Sequence, residues 1–443
     1  MKLRLLLIYL LLSSIFVESV NFSFYFFGMR IRISQLIALL ALLYLVTGWL
    51  LEKFNIKRTP IDIPLWSYML LNIVALINAA WLGRSIKITL LLFSSVILYY
   101  IVVNLVNSAN VFHKALHFLM VAGIIEIGYG LYQVLAGMLN VFGGCDLPIG
   151  YLGLIHSTYI GSPWGRPYGT FVEPDWYGTI CMYLLLLFVP IYFDGKSMKH
   201  RKLYLAGLFF AFTGLFFSFV RAAWVGAVAG AGILVLYNIE KGVIKRQIFA
   251  AAKKIVIFIF LSAIIVLVVP TLRNVIRERI HPTHDTNAQL TLKNVRFLMM
   301  RISFKAFLQH PFIGNGPGSA GYAYLVNDYG EARATQLIKN PIPLRGKEGF
   351  DPSIITTILS DTGILGMLAF LWLLNRIIRI NIRRINFLED RSRSISIGLC
   401  AGFISLIVSY VFTQGLWLPF TWVFLALSIV SLKYGTSVEE GSK

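Results

Sequence analysis

Residues Leu203 to Asn238 read LYLAGLFFAFTGLFFSFVRAAWVGAVAGAGILVLYN, an apolar run in which Arg221 is the single charged side chain. One crossing of a hydrocarbon core takes about 20 residues, so the run is too long for one helix. It predicts two helices, 203–220 and 222–238, meeting at Arg221. A single broken or re-entrant helix is the competing reading. The rest of the chain repeats the theme: 57% of its 443 residues are hydrophobic, 14% are charged, and the mean hydropathy is +0.74. That balance excludes a soluble globule covered by charged surface and fixes an all-α, polytopic integral membrane protein.

Apolar runs of spanning length predict about 12 transmembrane helices. They fall at 4–20, 34–51, 63–82, 87–106, 113–139, 175–193, 203–220, 222–238, 255–271, 354–375, 395–411 and 414–432. Three regions follow: 1–271 with nine helices and an outer loop at 140–173, a polar Arg-rich segment at 272–352, and 353–443 with three helices and a tail. Met1-Lys2-Leu3-Arg4 and the apolar run to Val17 have the look of a signal peptide, but no small-x-small site follows, and a retained first helix is expected.

Forty Lys and Arg stand against twenty Asp and Glu, a formal charge of +20. In a soluble protein that excess raises nucleic-acid binding. Here the charges lie in loops, where anionic headgroups and the positive-inside bias explain them without nucleic acid. With the N-terminus cytoplasmic, Lys53, Lys57 and Arg58, then Lys196, Lys199, Arg201 and Lys202, then Lys241, Lys245, Arg246, Lys253 and Lys254, and finally Arg376, Arg379, Arg383, Arg384, Arg391 and Arg393 all fall inside. Both termini are then cytoplasmic, and 140–173 and 272–352 lie outside. Arg30, Arg32, Arg84 and Lys87 argue weakly the other way. Cys145, Cys181 and Cys400 make no disulfide framework or metal site.

A membrane protein that keeps roughly 80 residues outside the bilayer between two spans works there. The 272–352 segment carries Arg273, Arg277, Arg279, Lys293, Arg296, Arg301, Lys305, Arg333, Lys339, Arg345 and Lys347, which suits an anionic ligand. Residues 287–309 read as an amphipathic helix with Leu292, Val295, Met299, Ile302 and Ala306 on its apolar stripe. His310-Pro311-Phe312-Ile313-Gly314-Asn315-Gly316-Pro317-Gly318 follows as a glycine-rich turn. Such turns allow close approach of a ligand to backbone and are common on other grounds. The same basic residues also fit an interfacial helix touching headgroups.

Two shorter elements face the same side. In Phe217-Ser218-Phe219-Val220-Arg221-Ala222-Ala223-Trp224-Val225-Gly226, a snorkelling Arg221 beside an interfacial Trp is the ordinary explanation. Arg221 has apolar runs on both sides and no loop to retreat into, and an ionisable group so placed faces a cavity or partner. In Arg166-Pro167-Tyr168-Gly169-Thr170-Phe171-Val172-Glu173-Pro174-Asp175, Pro174 suits a first helical turn and Asp175 the positive end of its dipole. A second carboxylate, Glu173, adds a general-base or acceptor-positioning reading for either acid.

Phe-Ser-x-x-Arg-x-x-Trp-x-Gly at a helix boundary, Arg296 fourteen residues before His-Pro-x-x-Gly-x-Gly-x-Gly, and Asp361-Thr362-Gly363-Ile364-Leu365-Gly366 at a helix start together resemble the O-antigen ligase and polymerase superfamily. The resemblance runs from about 165 to 370, with Gly169-Thr170-Phe171 and Pro174-Asp175 as its early member. It implies a glycosyltransferase that takes a glycan from a polyprenyl-pyrophosphate donor at the outer face of the cytoplasmic membrane. The acceptor is a hydroxyl of another glycan or a glycolipid. Guanidinium groups would clamp the pyrophosphate, with Arg221 and Arg296 first and Arg166 and Arg301 second. No cofactor is implied, and arginine replaces the divalent metal of nucleotide-sugar enzymes. Lys305, His310, Tyr322, Tyr324 and Tyr329 join as substrate-binding candidates, the tyrosines because aromatic faces stack on sugars. Arg345 and Lys347 would guide the carrier's phosphates.

One position departs from the family. Its usual His-Asn pair falls on Pro352-Ser353, with Asp351 adjacent and Asp361 in place of the usual Glu. Asp351, Glu173, Asp175 and His310 then stand as alternative bases, and a polymerase fits better than a ligase. From other classes, a flippase for lipid-linked oligosaccharide puts its ionisable groups near the midplane, and a glycolipid-binding scaffold needs no base at all.

Overall fold

The computed structural model describes residues 2–16, 25–26, 29–30, 33–53, 55–138, 167–171, 173–194, 200–239, 299–323, 353–388 and 390–434. The expected helix 255–271 and much of the 272–352 segment lie outside them, as do Arg166, Arg296, Tyr324, Tyr329, Arg345, Lys347, Asp351 and Pro352. The described chain is helical throughout, apart from one antiparallel pair of two-residue strands, β1 (Tyr25–Phe26) and β2 (Met29–Arg30). Its helices are α1 (Lys2–Ser14), α2 (Ile33–Leu50), α3 (Asp62–Val74), α4 (Leu82–Leu105), α5 (Ala109–Met138), α6 (Pro174–Phe193), α7 (Arg201–Ser218) and α8 (Arg221–Ile239). α9 covers 299–309, residues 320–323 are also helical, and α10 (Ile354–Ile385), α11 (Asp390–Tyr410) and α12 (Pro419–Tyr434) follow.

Eleven of the predicted apolar segments are thus helical. Six of these helices are long and apolar enough to cross a membrane, namely α2, α4, α5, α6, α10 and α11. The expected number of twelve spans is not fixed by this. α3 stops at Val74 and tightens into a 3-10 turn at Ala75–Asn78, short of the expected residue 82. α10 instead runs on through Arg376, Arg379, Arg383 and Arg384. Arginine is a good helix former, and once clear of the apolar zone nothing ends the helix.

α6 lies at the centre, buried along nearly its whole length and packed by α7, α11 and α8. α12 is buried from Pro419 to Leu432. The outer layer behaves oppositely. α2 exposes Leu36, Leu39, Leu40, Leu43 and Leu50, a row that in water would drive association and in a bilayer meets lipid. Within lipid there is no hydrophobic gain from helix pairing, so close packing over small residues does the work. A Cβ on Gly207 of α7 would stand 2.5 Å from Phe188 of α6, and one on Gly226 of α8 would stand 2.7 Å from the Ser405 carbonyl of α11.

These contacts give direction. Along α6, Phe188, Cys181 and Gly178 meet Gly207, Gly214 and Ser218 of α7 in turn, so α7 runs antiparallel to α6. Gly178, Met182 and Leu186 meet Val220, Gly226 and Gly230, so α8 runs back parallel to it. The 203–238 stretch is two helices joined by Phe219 and Val220, and the single broken helix is excluded.

One end of the bundle holds the described basic clusters. Lys57 Nζ donates to the carbonyls of Val106 (2.9 Å) and Val103 (3.4 Å) at the end of α4 and to the Tyr434 hydroxyl (3.1 Å) at the end of α12. Burial lowers the Lys57 pKa below the ordinary lysine range, and the Tyr434 hydroxyl opposes the shift. Arg376 Nε donates to the Pro60 carbonyl over 3.2 Å, His117 and His200 lie 5.1 Å apart, and Ser396 donates to Ser431 over 3.0 Å. Lys53, Lys57, Arg58, Arg201, Lys202, Arg383, Arg384, Arg391 and Arg393 therefore share that end.

Candidate functional site

The opposite end gathers every described element that the sequence singled out, in two clusters joined by α4 and Trp417. The first is built on the start of α6. Glu173 stands at its N-cap in extended backbone, exposed and without a side-chain capping bond, and Pro174 occupies the first turn. Asp175 lies in that first turn, where the helix dipole favours a carboxylate. Its carbonyl accepts the Thr179 hydroxyl at 2.7 Å.

The α7–α8 turn sits on the same part of α6. Phe219 closes α7 in left-handed backbone at φ 52°, uncommon for a bulky residue. Ser218 holds the turn from inside: its hydroxyl donates to the Leu215 carbonyl (2.7 Å) and accepts the Val220 N–H (3.3 Å). Trp224 Nε1 donates to the same Leu215 carbonyl over 3.0 Å, which returns α8 along its own approach. Gly178 of α6 lies under Ser218 and Val220. Arg221, the first residue of α8, is exposed at the end of the bundle where Glu173 and Asp175 stand.

Two side chains absent from the sequence motifs, Gln133 and Glu126, hold this cluster. Gln133 Oε1 of α5 accepts the N–H groups of Gly169 (2.9 Å) and Tyr168 (3.2 Å), while its Nε2 donates to the Gly169 carbonyl (2.9 Å). Glu126, two helical turns earlier, accepts the Thr170 N–H at 2.6 Å and contacts the Thr170 hydroxyl at 2.9 Å. The Thr170 hydroxyl also donates to the Phe16 carbonyl at the end of α1. A Cβ on Gly169, at φ +59°, would overlap the Glu126 carboxylate. Glu126 carried a readable signal: it is an ionisable residue inside an apolar helix, and such residues are rarely incidental.

The second cluster is the glycine-rich turn. Met299, Ile302 and Ala306 of α9 are buried as the stripe predicted; Leu292 and Val295 lie outside the described residues. Arg301, Lys305 and His310 are exposed. α10 starts at Ile354, as the expected helix 354–375 does, and is broken inside the Asp361–Gly366 motif at Gly363, whose φ of 67° and ψ of −164° only glycine adopts readily; a second helical segment starts there. The turn fills that break. Asn315 and Gly316 donate their N–H groups to the carbonyls of Ser360 (2.8 Å) and Asp361 (3.0 Å), and Ile364 and Leu365 donate theirs to the carbonyls of Pro311 (2.8 Å) and Phe312 (3.2 Å). The close backbone approach that these glycines allow is made to α10 and to the α3–α4 edge. There, Asn78 Nδ2 donates to the Gly314 carbonyl over 3.2 Å, and Ser319 Oγ accepts the Trp81 N–H over 3.2 Å.

Tyr322 packs its ring 5.5 Å from that of Trp81, and the Arg84 guanidinium lies 5.4 Å from the Trp81 ring. Arg84 thus joins the candidate cluster from the first turn of α4. The Trp417 carbonyl accepts the Ser95 hydroxyl of α4 at 3.0 Å, and the Trp417 ring lies 5.4 Å from that of Trp176. Ser353, one of the two residues at the usual His-Asn position, is the buried N-cap of α10. Among the described residues no group of three or more His, Cys, Asp or Glu is placed to hold a metal ion.

Two carboxylates and an arginine exposed at the same end of the bundle, with an aromatic and basic shelf at the start of α4, can bind an anion and accept a proton. No curated protein matches the chain. Residues 206–371, which run from α7 through the Arg221 turn and the glycine-rich turn to the first half of α10, match the O-antigen ligase family, as the motifs implied.

Proposed function

We propose that the protein is a membrane glycosyltransferase of the glycan ligase or polymerase type, taking its glycan from a polyprenyl-pyrophosphate donor. The observation that carries this reading is the exposure of Arg221 at the N-terminus of α8, on the end of α6 that presents Glu173 and Asp175. A guanidinium binds phosphate oxygens bidentately, and the helix N-terminus adds positive potential at the same point. As the bond between the anomeric carbon and the phosphate oxygen breaks, charge grows on the pyrophosphate, and Arg221 with Arg296 stabilises it. The acceptor hydroxyl oxygen bonds to the anomeric carbon and gives its proton to a carboxylate, Glu173, Asp175 or Asp351, or to His310. Arg166, Arg301, Lys305, Tyr322, Tyr324 and Arg345 bind donor and acceptor. No metal is required in this scheme.

The polymerase branch is favoured by Pro352-Ser353 at the usual His-Asn position. The cytoplasmic (inner) membrane, with both termini inside, is favoured by the gathering of the basic clusters at the end of the bundle away from Arg221. The partners are then a lipid-linked glycan, a glycan or glycolipid acceptor, and membrane lipid.

The test is glycan transfer by purified protein from a polyprenyl-pyrophosphate-linked repeat, without divalent metal. Wild type, Arg221→Ala and Arg296→Ala are compared at equal folded amounts. Transfer by wild type and its loss in both variants is the expected result. Donor movement across vesicles with no new glycosidic bond would replace the enzyme with a flippase, and donor binding alone would leave a scaffold.

A further inference from the structure

Glu126 and Gln133 lie seven residues apart on α5, about 10 Å along the helix axis, and both are buried, at 5% and 3% exposure. An ionisable group within a membrane helix is costly unless its setting uses it. Here the setting is a short stretch of backbone. The N–H groups of Tyr168, Gly169 and Thr170 are each accepted by one of these two side chains, and the Gly169 carbonyl is bound as well. Phe171 follows, fully buried against Phe420 of α12. Two residues later come Glu173, Pro174 and Asp175. The conformation from which the two carboxylates emerge is therefore dictated by α5 and not by the loop's own preferences.

Other ways of holding a loop were available at lower electrostatic cost. Ser, Thr or Asn hydroxyls and amides satisfy single N–H groups without burying a carboxyl. Glu126 reaches both the N–H and the hydroxyl of one residue, and Gly169 removes the Cβ that would stand in its way. The Thr170 hydroxyl extends the brace to the end of α1. Three separate elements, α1, α5 and α6, are registered against one another at the entrance to the carboxylate pair.

We propose that Glu126 and Gln133 are positioning residues that fix Glu173 and Asp175 relative to Arg221 for the transfer reaction. This rests on the function proposed above. Neither side chain touches the reacting atoms; each acts through Gly169 and Thr170. A displacement of about 1 Å at a reacting group lowers turnover on the order of 100-fold without removing the binding groups. Loss of the brace therefore lowers kcat far more than it raises the donor KM.

Glu126→Leu and Thr170→Val each remove hydrogen bonds of the brace and nearly keep side-chain volume, and Glu126→Ala is the harsher third variant. Each is purified in detergent and checked for folding by thermal unfolding. Transfer is then measured as kcat and KM for the lipid-linked donor, and amide hydrogen exchange is followed over residues 167–190. The expected result is folded protein, a kcat lower on the order of 100-fold, a donor KM within about twofold of wild type, and faster exchange at 168–170 but not along α6. A folded Glu126→Leu protein with wild-type kcat overturns the positioning role, as does activity that falls only in step with the folded fraction. Unchanged exchange at 168–170 overturns it too. A wild-type protein that transfers nothing overturns the underlying function instead, and is told apart because the variants are then never compared by rate.

Discussion

Asn315 binds the carbonyl of Ser360 twice, through its main-chain N–H at 2.8 Å and its side-chain Nδ2 at 3.2 Å. The same Nδ2 donates to the Ala306 carbonyl at 2.7 Å, and the residue is only 1% exposed. One side chain therefore ties α9, the glycine-rich turn and the break in α10 together. Asn315→Ala removes both side-chain bonds and leaves buried carbonyls short of a donor. The expected cost is about 2 kcal/mol, read as a lower thermal midpoint in detergent. An unchanged midpoint would mean that the three elements do not depend on this residue.

Gly363→Ala meets two obstacles at once. The backbone at φ 67°, ψ −164° is closed to a side chain, and the added Cβ would stand 2.7 Å from the Ile313 N atom as well as against the Phe312 carbonyl. A loss of about 3 kcal/mol or more is expected, seen as poor recovery of folded protein after detergent extraction. Wild-type recovery would show that α10 can heal its break into a continuous helix.

Arg221 is exposed, so its removal should leave stability within about 0.5 kcal/mol. Arg221→Lys keeps the charge and loses the planar fork. Both Arg221→Ala and Arg221→Lys are therefore expected to weaken binding of a polyprenyl pyrophosphate, the lysine variant by the smaller factor. Titration of the lipid against each protein by tryptophan fluorescence checks this, and equal affinity for all three proteins would remove Arg221 from the clamp.

Lys57→Met takes a donor from the Val103 and Val106 carbonyls and from the Tyr434 hydroxyl, at an expected cost of about 1–3 kcal/mol. The pH dependence has a definite sign. Burial lowers the folded pKa of Lys57, so between that value and the ordinary lysine value the unfolded chain binds more protons. Stability contributed by this group then rises with pH through that alkaline window. Thermal midpoints of wild type and Lys57→Met, compared from neutral to alkaline pH, should move apart by this increment as the pH rises; parallel or converging curves would deny it.

Much of the bundle was legible because long apolar runs have few alternatives in a bilayer. The Arg221 turn was placed to within two residues by the one charge in an apolar run too long for a single crossing. The α3 terminus was read too long, because its last turn is bound by Gly314 from far along the chain through Asn78, and no local pattern carries that. The glycines at 314, 316 and 363 were visible as a motif, but their partner was invisible: each half of the motif supplies the hydrogen bonds that the other lacks. Glu126 and Gln133 were overlooked because hydropathy averaged over a span hides one or two polar residues. Reading those residues singly recovers them.

The pairing of Asn315 with Ser360 spans 45 residues of sequence, and at ordinary ribosomal speeds its second half is made several seconds after its first. During that interval Asn78, Trp81 and Ser85 of the earlier α3–α4 edge already exist and can receive the turn through Gly314 and Ser319. Assembly of this end of the bundle is therefore expected to follow the order of synthesis. The expected order is docking of the turn on the N-terminal helices and closure when α10 emerges, so a nascent chain ending before Ser360 should be open to protease at 314–319, residues that are buried in the finished protein.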